Sequence, residues 1–349
     1  MRQRDRRLLL LTLMGALALA GVPVAAAQDD PASAVAPPES AYLMGVAHTY
    51  QTWNNCGPAT LTMALSYWGW PGDQQRAAES LKPDAEDKNV SPAEMAAFVN
   101  REVTDVRALH RYAGDLNLLK RLVAAGFPVV IETGFIPEGE DWMGHYRLVV
   151  GYRDAEASFF TFDSYQGAGI PLPFGEADAL WQHFNRAYVV AYPPAREAEL
   201  SDLLGDDWDA DRNAQRARAA AQSEVEADPG NPFAWFNLGT SHVLNRQYAE
   251  AAAAYDEAFA IGLPWRMLWY QFGPFEAYLH TDRLDDVLAH ARPVREHTPY
   301  VEEMHYYEGM VYLARGERDA ARYLFRKALR YNANFAPARS ALRMASAMP

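Results

Sequence analysis

The chain has 349 residues, half of them hydrophobic, with a formal net charge of -13, nine histidines and a single cysteine, Cys56. Such acidity disfavours nucleic acid and anionic membrane surfaces as partners. One sulfur excludes an internal disulfide and a cysteine-anchored zinc site, while the length suggests two domains of roughly 100 to 200 residues each.

At the N-terminus, Arg2, Arg4, Arg6 and Arg7 precede an apolar run over 8–20, and Ala25, Ala26 and Ala27 supply small residues for cleavage. Residues 1–27 therefore read as a secretory signal peptide, which places the mature protein outside the cell or in the cell envelope. The alternative is an uncleaved membrane anchor, for which 8–27 has about the necessary length. Residues 28–40, rich in proline and small side chains, read as a linker. In an exported chain an unpaired cysteine is a flag for a reactive thiol, beside the readings of a buried inert thiol, an intermolecular bridge or a modified cysteine.

Residues 41–194 carry a mixed pattern that predicts an α+β domain. A helix is expected after Cys56 over 60–68, with Pro58 in its first turn. A second opens at Ser91, where Pro92 and Glu94 complete a capping box, and a third covers 115–125. Strand-like runs follow at 128–132, 145–152, 158–163 and 187–192. The glycines of 134–139 and 167–169 read as turns.

Residues 195–214, centred on Asp206, Asp207 and Asp209, read as an acidic linker. Beyond them, 215–345 predicts an all-α array of helical hairpins. Trp235, Leu238 and Gly239, followed by Ala251, Tyr255 and Ala258, resemble the tetratricopeptide (TPR) pattern, which repeats about every 34 residues. A third unit matches at Gly309, Tyr312, Ala321, Phe325 and Ala328. The middle unit matches at Trp269, Phe272 and Gly273 but places Asp285 and Arg292 where alanine is expected. The small residues let helices approach, and the aromatics fill the space between hairpins. Such an array reads equally as a spacer or as a module for a protein partner.

The chemistry centres on Cys56. A thiol attacks as thiolate, and the start of a helix lowers its pKa. Gly57 leaves room for a substrate backbone beside the sulfur. Among the histidines, His145 opens a strand that returns through a turn at 153–157. If that hairpin is centred near Asp154, His145 stands opposite Asp163; a turn shifted by one residue makes the two diagonal neighbours. A base and an acid to orient it are then available. Gln51, five residues before Cys56, is placed to join the Cys56 backbone N–H as an oxyanion donor. His48, His110 and His183 read as surface or structural residues, and Trp53, Trp68, Trp70 and Trp142 as core or cleft walls. Among the histidines and the lone cysteine no spacing suggests a metal site, and no glycine-rich phosphate loop occurs, so neither metal nor cofactor is expected.

The order Gln51, Cys56, His145, Asp163, with Asn-Cys-Gly-Pro-Ala at 55–59 and Gly-His-Tyr-Arg-Leu-Val-Val-Gly-Tyr at 144–152, resembles the C39-like, bacteriocin-processing and double-glycine-cleaving peptidases of the papain clan. The resemblance implies a papain-like cysteine peptidase domain at 41–194. It makes Cys56 the nucleophile, His145 the general base and then acid, Asp163 the residue orienting His145, and Gln51 the oxyanion donor. A peptide or protein substrate and a thioester acyl-enzyme follow. The same residues also fit a peptide-binding scaffold without turnover and acyl transfer through the same thioester.

Overall fold

In the computed structural model, which describes residues 36–347, the polypeptide up to Tyr192 builds an antiparallel sheet with helices packed against it. Its elements are β1 (Ser40–Tyr42), α1 (Cys56–Ser66), α2 (Gln74–Leu81), α3 (Pro92–Glu102), β2 (Arg107–Arg111), α4 (Leu116–Ala124), β3 (Val129–Phe135), β4 (Met143–Arg153), β5 (Ser158–Asp163), β6 (Gly167–Pro173), α5 (Phe174–Gln182) and β7 (Tyr188–Tyr192). The strand order is β2-β7-β3-β4-β5-β6, with β1 added beside the far end of β4. Every residue of β3 and β7 is buried. Leu61 and Leu65 of α1, Met95 and Val99 of α3 and Leu119 and Leu122 of α4 share one core with Val130, Leu148 and Val190 of the sheet.

Local chemistry explains these elements. Ser91 caps α3 with the expected box: its hydroxyl accepts from the Glu94 N–H, and the Glu94 carboxylate accepts from the Ser91 N–H. Asp115 caps α4 through the Leu118 N–H. The expected signal at 1–27 and most of the expected linker lie outside the described residues. Ser40, the last residue of that linker, already pairs with Arg153 in the sheet.

Three local expectations are corrected. Gly134 is not in a turn but within β3, where a Cβ would lie 2.0 Å from His183 Nδ1; the glycine is there to let that ring cross the strand. Gly167 and Gly169 belong to β6, at φ of 134° and 70°, which only glycine adopts without strain. The acidic segment at 195–214 is not an open linker. It forms α6 (Glu197–Leu204) and the start of α7 (Ala210–Ala227), and Leu200 and Leu204 enter the core of the first domain. Asp207 is buried there, accepting from Arg216 at 2.5 and 2.6 Å and from Asn213 at 2.9 Å.

The helical array continues with α8 (Pro232–Leu244), α9 (Tyr248–Ile261), α10 (Gly273–His280), α11 (Leu284–His297), α12 (Glu302–Ala314), α13 (Arg318–Tyr331) and α14 (Ala336–Ala347). Gly239 and Gly309 serve the purpose expected of them: a Cβ on either would lie 2.7 or 2.6 Å from the ring of Tyr255 or Phe325 on the paired helix. The middle unit differs. Its first helix is broken into a 3-10 turn at Met267–Trp269 and the short α10, because Pro274 in the first turn of α10 has no N–H to bond the Tyr270 carbonyl and its ring would clash with that carbonyl in a continuous helix.

That broken unit docks on the first domain. Trp142 and Phe184 of the first domain belong to the array's apolar cluster, alongside Phe236, Tyr255 and Met267. Trp265 Nε1 donates to Asp141 Oδ2 at 3.2 Å, Gln271 Nε2 to the His183 carbonyl at 2.9 Å, and Asn185 Nδ2 to Ser241 Oγ at 3.0 Å. Among the described residues no helix is long and apolar enough to cross a membrane.

Substituting Gly309→Val forces Phe325 out of its place and is expected to lower stability by about 1–3 kcal/mol, read as a drop in the urea midpoint of the full chain.

Candidate active site

Helix α1 begins at Cys56 itself, and its first turn holds no acidic residue to neutralise the positive end of the helix dipole. Thr60 of the next turn donates to the Tyr146 carbonyl at 3.3 Å, tying α1 to β4. This brings the half-buried thiol beside His145 and the Tyr146 backbone, both of which favour its ionised form. Gly57 has a different purpose from the one expected. A Cβ there would meet Met95 at 3.0 Å and Val90 at 3.1 Å, so the missing side chain admits the neighbouring helix and loop, not a substrate.

The His145–Asp163 pairing is present, with a corrected register. A 3-10 turn at Asp154–Glu156 and a bulge between Val149 and Gly151 set Arg147, not His145, opposite Asp163. His145, two residues away on the same face, is the diagonal neighbour. Its Nε2 lies 2.9 Å from Asp163 Oδ1, which leaves Nδ1 for the thiol. Phe135 stacks on the imidazole at 4.8 Å and fixes its plane.

Asp163 has no solvent exposure. Besides His145, its carboxylate accepts from Arg147 Nε at 3.1 Å and from the backbone N–H groups of Tyr165 and Gln166 at 2.7 and 2.9 Å. Burial alone would raise its carboxyl, but His145 and these N–H groups hold it well below the usual carboxylate range. For His145 burial works in the opposite direction, and the bonds to Asp163 and Cys56 overcome it, raising the imidazole to about 9. Burial pushes the Cys56 thiol up, whereas the His145 hydrogen bond and charge, the Tyr146 N–H and the Lys82 charge bring it below the ordinary thiol value. The three directions agree on a thiolate–imidazolium pair with a carboxylate behind it.

Gln51 lies at the edge of this group. Its Oε1 accepts from Ser164 Oγ at 2.9 Å and its N–H donates to the Ser164 carbonyl at 2.8 Å, so it is anchored to the residue after Asp163. It does not line the cramped pocket beside Cys56, whose wall includes Val90, Glu132, Gly144, Tyr146 and Tyr270. Glu132 is a buried acid, and burial drives its carboxyl well above the usual range. Of the tryptophans, Trp53 is exposed, Trp68 and Trp70 pack on the core and Trp142 lies in the interdomain contact. His183 is structural, half-buried between Trp142 and Phe233. His48 donates to the Asp163 carbonyl at 2.9 Å.

Four residues here were not legible as site residues in the sequence. Gln74 holds the loop before Cys56, accepting from the Thr52 N–H and Asn55 Nδ2 and donating to the Tyr50 carbonyl at 2.7 Å. Lys82, almost fully buried, donates to the carbonyls of Asn54 and Asp87 at 2.6 and 2.9 Å. Arg147 had one signal, a charge inside an apolar strand. Tyr270 had none, since it falls between Trp269 and Phe272, where the repeat pattern matches.

Residues 43–189 match the Peptidase_C39 like family. The N-terminal domain is C39-like in family and fold, and helical hairpins of the TPR kind follow it. A protein from Bacillus anthracis described as a C39-like peptidase is 16% identical, with a TM-score of 0.37, over 44% of this chain and 98% of its own. A double glycine motif protease from an AMS/PCAT transporter, solved with its leader peptide, is 17% identical, with a TM-score of 0.33, over the same shares of 44% and 98%. A TPR protein with an unusual peptide-binding site is 18% identical, with a TM-score of 0.22, over 42% of this chain and 89% of its own. No curated protein matches the chain.

Alkylation of Cys56 by iodoacetamide should persist well below pH 8, and His145→Ala should slow it at pH 7 by about tenfold or more, because burial then acts on the thiol with less opposition. Asp163 contributes stability that is fully present above its unfolded pKa of about 3.9 and is lost as pH falls through its depressed folded value. The stability gap between wild type and Asp163→Asn in urea melts should therefore be wide at neutral pH and begin to narrow only below about pH 4.

Proposed function

We propose that the protein is an exported cysteine peptidase that cleaves a peptide or protein substrate through a thioester acyl-enzyme. The observation that carries this reading is the 2.9 Å bond between His145 and a fully buried Asp163, with the Cys56 thiol beside the same imidazole at a helix start. The Cys56 thiolate attacks the scissile carbonyl, forming the carbon–sulfur bond and displacing charge onto oxygen. The Cys56 backbone N–H and the Gln51 carboxamide receive that oxyanion; Ser164 supports the role by holding the carboxamide through its oxygen, leaving the NH2 group to donate. The His145 imidazolium then gives its proton to the leaving amine and, as a neutral base, activates the water that releases the acyl group. Asp163 keeps the imidazole oriented and stabilises its charged form.

The helical array completes the substrate side. Tyr270 stands in the wall of the Cys56 pocket, so the array takes part in substrate selection as well as offering a surface to a protein partner. Export is supported by the arginine-led apolar run at 8–20 and the alanines at 25–27.

The test is incubation of the full chain with a peptide library, followed by mass spectrometry of products and of the protein. Wild type should release cleaved peptides and carry an acyl adduct on Cys56, and Cys56→Ala should do neither. His145→Ala should lose about 10²–10⁴-fold in rate and Gln51→Ala about 10²–10³-fold in kcat. Peptide binding without adduct or product overturns the reading in favour of a scaffold. An adduct released only to an amine acceptor makes the protein an acyltransferase.

A further inference from the structure

We propose that the contact between the two domains contains a divalent-cation site, of donor chemistry and size suited to Ca²⁺, formed by Glu94 of α3 and by Glu302 and Glu303 at the start of α12, with Asp87 and Asn89 beside them. One carboxylate oxygen from each glutamate lies within 4.8 Å of the others. Oxygens around one Ca²⁺ at 2.3–2.6 Å can be separated by at most about 5 Å, so the three fit a common ion.

The partnering of these side chains points to a cation. Glu302 and Glu303 are 1% and 6% exposed and Asn89 5%. Glu302 Oε1 accepts from Asn332 Nδ2 at 2.6 Å, Glu303 Oε1 from Asn89 Nδ2 at 3.3 Å, and Glu94 Oε2 from the Ser91 N–H and hydroxyl at 2.8 and 2.7 Å. Those bonds fix the carboxylates and leave Glu302 Oε2, Glu303 Oε2 and Asn89 Oδ1 buried with no partner. Acidic residues are ordinary in the first turn of a helix, but buried acceptors without donors are not. Shared protons would satisfy two glutamates, whereas the amide oxygen of Asn89, whose nitrogen is committed to Glu303, still lacks a donor or a cation. All the free atoms are hard oxygen acceptors, the set that Ca²⁺ takes.

The site would join distant parts of the chain. Asn89 and Val90 line the Cys56 pocket, and Lys82 connects the Asp87 carbonyl to that of Asn54, two residues before the thiol. An ion held between Glu94 and Glu303 ties this loop to the array. The histidine and cysteine spacing considered in the sequence could not reveal such a site, because its ligands come from separate domains. The inference is independent of whether Cys56 performs catalysis.

The test is calorimetric titration and thermal melting of the full chain, stripped with EDTA and returned to CaCl2 or MgCl2. One calcium per chain is expected, with a Kd of about 10⁻⁶–10⁻³ M and a Tm that rises with calcium concentration. Glu303→Gln and, as a second isosteric variant, Glu302→Gln should bind at least about tenfold more weakly yet melt above calcium-free wild type, since each removes one of several like charges. Absence of heat and of any Tm shift at about 10 mM calcium overturns the proposal and leaves proton sharing as the state of the cluster. Unchanged binding in either folded variant overturns it as well, by placing the calcium elsewhere.

Discussion

A carboxylate sealed from solvent must find its full complement of donors inside the protein or be expelled from its site. Asp163 finds four, from His145, Arg147 and two backbone N–H groups, and the rest of the site depends on that arrangement. The bulge in β4 decides which side chains on that strand can reach it. With Arg147 directly opposite and His145 diagonal, one oxygen of the carboxylate serves the base and the other is held by a fixed guanidinium. His145 is thereby raised well above the ordinary imidazole value despite burial, and the thiol beside it is brought below the ordinary thiol value.

A second dependence runs through the interdomain contact. The array's regular hairpins are held by Gly239 and Gly309 against rings, but its contribution to the pocket comes from the unit in which that regularity is lost. Pro274 breaks the helix, the segment from Trp265 to Gln271 opens toward the first domain, and Tyr270 reaches the pocket wall. Gly144 receives it: a Cβ there would lie 2.7 Å from Phe184 and 3.2 Å from Tyr270. Irregular backbone, costly in a packing module, is here the means by which one domain reaches the other.

Much of this was legible in the sequence, for identifiable reasons. Cys56 and α1 were readable because Pro58 and the apolar residues after it are local signals. His145 and Asp163 were readable because a short hairpin brings residues close in sequence together. The register slipped by two because neither the 3-10 turn nor the bulge has a sharp sequence signature. Gln74 and Lys82 were not readable, since each acts by hydrogen bonds across a loop whose path is set by tertiary structure. Gly134 was misread because turns and close approaches both select glycine. The acidic run at 206–209 looked like a solvated linker; Arg216, in the next helix, neutralises its buried member.

Trp142 and Phe184 lie in the core of the array, although both are encoded well before it begins. A ribosome therefore finishes the first domain while two of its aromatic rings still lack their covering, and the cleft beside Cys56 has one wall missing until residue 270 has been made. The order of synthesis delays assembly of the complete pocket, and a chain terminated at the apparent boundary near residue 194 would present an apolar scar in place of a finished surface.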